Sequence, residues 1–148
     1  MNEIRIEELE DVDELLATLK LYQEAKSYLE EFDWCSKIKN GWYDRGSAVY
    51  EKIGVFLFEI EPINKTVDDF IWVIVGDLPS VYLDKSVTTA QKALEIYCEL
   101  MEEWAENVKN GKSIEECYPI TAEPTIENAD LLLTRVSFIK KEFLFPKK

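Results

Sequence analysis

Any chemistry in this chain has to start from carboxylates. Among its 148 residues are 30 Asp+Glu and three Cys, but no His. Without imidazole, Ser-His-Asp and Cys-His catalysis and the HExxH zinc site are excluded. Glu59 and Glu61 are two apart in an apolar run. On a strand they share a face with Cα atoms ~7 Å apart, a spacing that could serve a general acid and base. They also precede Pro62, where a strand leaving the core ends in solvated charge. Asp77 follows the apolar run Phe70 to Val75 and sits in Gly-Asp-Leu-Pro. It reads either as a carboxylate at the tip of a buried strand or as the Asx residue that starts a turn. The segment Trp42-Tyr43-Asp44-Arg45, flanked by Gly41 and Gly46, combines two aromatic rings with one charge of each sign. Such a loop could bind a ligand or act as a protein–protein hot spot; it could equally fold its rings onto the core.

Other chemistry is poorly supported. Asp11, Asp13 and Glu14 open like an EF-hand loop, but Leu16 stands where that loop needs glycine. Glu24-Ala25-Lys26 superficially resembles half of a metal-dependent nuclease site, yet it falls in a predicted helix. Neither GxxxxGK[ST], GxGxxG nor GxSxG occurs. Cys35, Cys98 and Cys117 form no CxxC and read as reduced, structural thiols of a cytosolic protein. Glutamates around Cys98 on a helix would raise its pKa and oppose thiolate chemistry. No catalytic residue, metal ligand or cofactor is therefore assigned.

The elements that must position these groups are legible in the hydrophobic spacing. Asp11 and Glu14 suggest a capping box opening a helix over 11–33, either continuous or broken near Lys20, where the apolar stripe drifts. Leu9, Val12, Leu16 and Leu19, then Tyr22, Ala25, Leu29 and Phe32, give its apolar stripe. Asn-Gly and Gly-Ser punctuation makes 40–47 a loop, within a stretch 34–47 that also carries Trp34. Strands are predicted near 53–61 and 70–76, with 80–83 as a candidate third. The connection between the first two is too short for a parallel crossover, so they form an antiparallel hairpin. Both strands are apolar on both faces and need cover on both. A long helix over 86–109 carries Ala90, Leu94, Tyr97, Met101, Trp104 and Val108 on one face and ends at Asn110-Gly111. A last helix over 126–144 is capped by Thr125, carries Ala129, Leu132, Val136, Ile139 and Phe143 at three-four spacing, and is closed by Pro146. The expected fold is α+β, a small antiparallel sheet packed with three helices, in one domain spanning 1–148.

Charge is distributed unevenly. Residues 1–33 hold 11 acidic and 3 basic residues, a net of −8, within a whole-chain charge of −13; residues 112–148 are neutral. This disfavours nucleic acid or an anionic membrane as partner. No run approaches the ~20 apolar residues of a membrane span, and the acidic N-terminus lacks a signal sequence, so a cytoplasmic location is expected. The block Ile71 to Leu83 (IWVIVGDLPSVYL), followed by Leu100-Met101-Glu102-Glu103-Trp104, is similar to uncharacterised bacterial proteins of this size. The likeness runs from about residue 50 to the end. It implies a free-standing bacterial domain and brings no function, fold or site residue with it.

Three functional expectations follow. The first is a non-enzymatic acidic binding module, of the immunity or inhibitor type, that neutralises a basic partner such as a nuclease. Its surface would include Glu7, Glu8, Asp11 and Asp13, with Trp42, Tyr43, Asp44, Arg45 and Asp77 as further binding candidates. The second is a small-molecule-binding protein or enzyme with its site around Asp77 and the Trp42–Arg45 loop. The third is a structural homodimer.

Overall fold

A computed structural model describes residues 3–5, 8–44, 53–62, 69–76, 78–120 and 122–141. The chain forms two compact units, Met1–Ala93 and Leu94–Lys148.

The first unit is an antiparallel sheet with one helix on it. The strands are β1 (Glu3–Ile4), β2 (Cys35–Asp44), β3 (Ile53–Pro62), β4 (Phe70–Gly76) and β5 (Val81–Leu83), and they pair in sequence order as a five-stranded sheet. The β3–β4 hairpin has the expected antiparallel sense, with Phe56 opposite Val73 and Glu59 opposite Phe70. Helix α1 (Val12–Glu30) lies over β2, β3 and β4. Leu21, Ala25 and Leu29 meet Tyr43, Phe56, Phe58, Ile71 and Val73 in the core between helix and sheet. On the other sheet face, Val55, Trp72, Ile74 and Val81 are buried as well, as two-sided apolar strands require. There the Trp72 indole donates to the Val87 carbonyl at 2.8 Å. That bond ties down the turn after β5, where Asp84 accepts from the Ser86 amide at 3.0 Å.

Three sequence expectations need correction. Residues 35–44 are a strand, so the loop expected over 40–47 is strand as far as Asp44; 45–47 lie outside the described residues. Gly41 is central to this: a β-carbon there would come within 2.7 Å of the Tyr22 hydroxyl and 2.9 Å of the Phe58 ring. Glycine marks the place where α1 closes on the sheet, rather than a turn. Helix α1 is unbroken at Lys20, and its buried face is set by Glu14, Ala17, Thr18, Leu21, Ala25 and Leu29. Val12 and Leu16 point outward, 66% and 61% exposed. The long helix, α2 (Ala90–Lys109), starts at Ala90 rather than Ser86; Thr89 Oγ1 accepts from the Lys92 amide at 3.1 Å near its start.

In the second unit the end of α2 is a Schellman motif. Gly111 takes φ +68°, the Lys112 amide donates to the Asn107 carbonyl at 2.8 Å, and the Gly111 amide to Val108 at 3.3 Å. Helix α3 (Ile126–Ile139) is capped by Thr125, whose Oγ1 accepts from the Asn128 amide at 3.1 Å. Its buried residues, Ala129, Leu132, Val136 and Ile139, are those that the spacing predicts; Phe143 lies outside the described residues. Ion pairs Lys109–Asp130 at 2.7 Å and Lys140–Glu102 at 2.5 Å join the two helices in antiparallel order. Among the described residues, no helix is long and apolar enough to cross a membrane.

Candidate binding surfaces

The acidic candidates gather at the start of α1. Asp11 occupies the N-cap, where its carboxylate accepts from the Glu14 amide at 2.8 Å and satisfies one of the free donors of the first turn. Negative charge there also meets the positive end of the helix dipole. Glu8, Asp11 and Asp13 are exposed; Glu7 lies outside the described residues. Further along, Glu24, Glu30 and Glu31 are exposed too. Glu14, which the capping pattern singles out, is instead buried to 3% exposure in the sheet-facing stripe. The acidity of the first 33 residues is thus carried mainly outside the core.

The aromatic candidates are separated by strand geometry. Because residues 42–44 lie on β2, successive side chains take opposite faces. Tyr43 is buried in the core against Phe56, with ring centroids 5.6 Å apart. Trp42 takes the other face, half-buried, with its ring 6.3 Å from that of Phe70. Asp44 is buried to 4% exposure. No common stacking surface joins Trp42 to Tyr43. Arg45 and Asp77 lie outside the described residues, so the pocket expected between them is not described.

Around Trp42 the tertiary structure assembles residues that sequence spacing did not single out. The Arg5 guanidinium sits 5.2 Å from the Trp42 ring centroid and donates from Nη2 to Asn40 Oδ1 at 3.1 Å. The Asn40 amide in turn donates to Glu59 Oε1 at 2.7 Å. A cation thus reaches a carboxylate through one amide, beside a stacked aromatic pair. The arrangement holds the N-terminal strand's exit against the sheet, and it occupies Glu59. Its companion Glu61 stands exposed opposite Lys37. The two glutamates therefore sit in unlike surroundings, and Glu59 is engaged structurally. The signal that could have found this cluster is the i, i+2 pair Asn40 and Trp42, which share a face once 35–44 is read as a strand.

A second aromatic group lies where α1 ends. Phe32 and Trp34 stack at 5.0 Å, and both reach Tyr82, at 4.9 and 5.1 Å. The three rings pack on one another.

The thiols are poorly suited to nucleophilic work. All three cysteines are free and buried. Burial is the main cause that pushes the Cys98 thiol up to about 12; Lys140 opposes it, and Glu102, Glu99 and Glu95 add to it. Cys35 is raised by burial and then by Glu30. Among the described residues, no group of three or more His, Cys, Asp or Glu side chains is placed to hold a metal ion.

The chain matches no protein-family model, and neither a curated protein nor a solved structure matches it.

Proposed function

We propose that this protein is a non-enzymatic binding module whose acidic N-terminal quarter engages a basic protein, as an immunity or inhibitor protein engages a nuclease. The observation that supports this reading is where the acids lie. Glu8, Glu10, Asp11, Asp13, Glu24, Glu30, Glu31 and Asp33 are exposed on and around one helix, in a segment of net −8. Concentrated negative charge speeds encounter with a cationic surface and orients it. The two cysteines with resolved shifts are held towards the thiol form, and Glu59 is occupied by Asn40.

The test is an affinity capture from the source cell at low salt. The native chain is compared with one in which Glu8, Asp13 and Glu24 are changed to Lys. Asp11 is kept so that the helix cap survives. A basic protein recovered by the native chain and lost by the variant supports the reading. If that protein is a nuclease, stoichiometric addition of the chain should inhibit it. Recovery of no basic protein, or equal recovery by both chains, removes it.

A further inference from the structure

The outward face of α1 carries an exposed apolar ladder. Val12, Leu16 and Leu19 are 66%, 61% and 39% exposed, at spacings of four and three. They stand on the side away from the buried Ala17–Leu21–Ala25 stripe. Large aliphatic side chains aligned over two turns of an exposed helix form a surface about 10 Å long that a second helix can cover by ridge-into-groove packing. By helix geometry Asp13, Lys20 and Glu24 follow one edge of the ladder and Lys26 the other, while the exposed Glu8, Glu10 and Asp11 precede it and Glu30 follows it along the chain.

Charge decides what can lie there. A second copy packed α1 against α1 would bring together two segments of net −8, and like charges at an interface cost affinity. We infer that the Val12–Leu16–Leu19 ladder is the docking groove for a cationic amphipathic helix of another protein, whose apolar side covers the leucines while the Lys and Arg towards its ends meet the carboxylates that precede and follow the ladder. This deepens the proposed function and rests on it: the acids steer the partner, and the ladder holds it. The covered area is small, so the contact is transient unless a larger surface joins it.

The probe is a fluorescein-labelled peptide of about 18 residues, Leu and Lys in helical amphipathic order. Its control is a scrambled peptide of identical composition and charge. Anisotropy titrations use the full chain at ~50 mM salt, where screening is weak. The patterned peptide should bind at least about tenfold more tightly than the scramble, because only it buries the leucines together. The double variant L16S/L19S should bind the patterned peptide no better than the scramble. Both positions are exposed, so the variant should fold, which circular dichroism verifies. Equal affinity for both peptides, or full affinity in L16S/L19S, overturns the groove. If that equal binding disappears on the Glu8, Asp13 and Glu24 reversal, the acidic-surface reading survives alone. Binding of neither peptide overturns both. Perturbation of Leu131 and Phe138 methyl and ring signals, in place of Leu16 and Leu19, also overturns the groove.

Discussion

Single residues carry more of this structure than their types announce. Gly41 reads as half of an Asn-Gly turn signal, yet it sits mid-strand because the Tyr22 hydroxyl passes 2.7 Å from where a β-carbon would be. G41A should therefore destabilise the chain by about 1–3 kcal/mol, as overpacking does in a closed core. Urea unfolding measures this, and a neutral effect would show that α1 does not close there. Cys98 makes a second case. Its thiol, about 12 in the fold, ionises near ~8.5 in the unfolded chain. The folded state thus holds this proton more tightly. Its contribution is fully present below the unfolded value and is lost as pH rises towards the folded one, by at most ~1.4 kcal/mol per pH unit from this group. Cys35, Tyr97 and Lys140 are also raised and act in the same direction. The urea midpoint should accordingly fall between pH 8 and pH 10; a constant midpoint would contradict the burial. Native Cys98 should also resist iodoacetamide at pH ~8.5 until the chain is unfolded.

Among the elements, α1 shows how far spacing alone can lead. The run Leu9, Val12, Leu16, Leu19 is periodic, and so is Glu14, Ala17, Leu21, Ala25. Hydropathy favours the first; the fold buries the second together with Leu9, which precedes α1, and leaves Val12, Leu16 and Leu19 outward, because Ala17 and Ala25 allow the helix backbone near the sheet. Replacing L29 by Ala should cost about 2–5 kcal/mol and leave a cavity. L16S, on the outward side, should stay within ~0.5 kcal/mol of the native chain. Equal costs would mean the faces are assigned the wrong way round. Loss of the cap in D11A should cost ~1 kcal/mol. The elements of the C-terminal part were more legible. In α3 the cap and the buried positions follow directly from the spacing, and Asn110-Gly111 ends α2 as its type suggests. Their signals are local: a hydroxyl accepting from an amide three residues on, and a glycine free to take positive φ.

For the whole molecule, charge is the governing quantity. A net charge of −13 with a pI near 4.5 makes copies repel one another at neutral pH. As pH falls towards 4.5 that repulsion disappears, and the exposed Val12, Leu16, Leu131 and Phe138 are left to associate. Light scattering through a pH titration should show self-association rising near the pI and reversing on return to pH 7. A flat profile would mean that these exposed side chains do not promote contact between copies.

By itself, the sequence determined the composition-level limits: no imidazole chemistry, a large acidic excess in the first 33 residues, an α+β order of elements, and the helix caps at Asp11 and Thr125. These depend on residue identity or on neighbours within one turn. Only the tertiary structure decided that 35–44 is a strand, that Trp42 and Tyr43 part to opposite faces, that Arg5, Asn40 and Glu59 meet, and which side of α1 is buried. Each of those depends on partners distant in the chain, such as Phe58 facing Gly41 or Asn40 facing Arg5, 35 positions away. Side-chain type and local period carry no record of such distant pairings, whereas packing selects among several locally acceptable faces the one that closes the core.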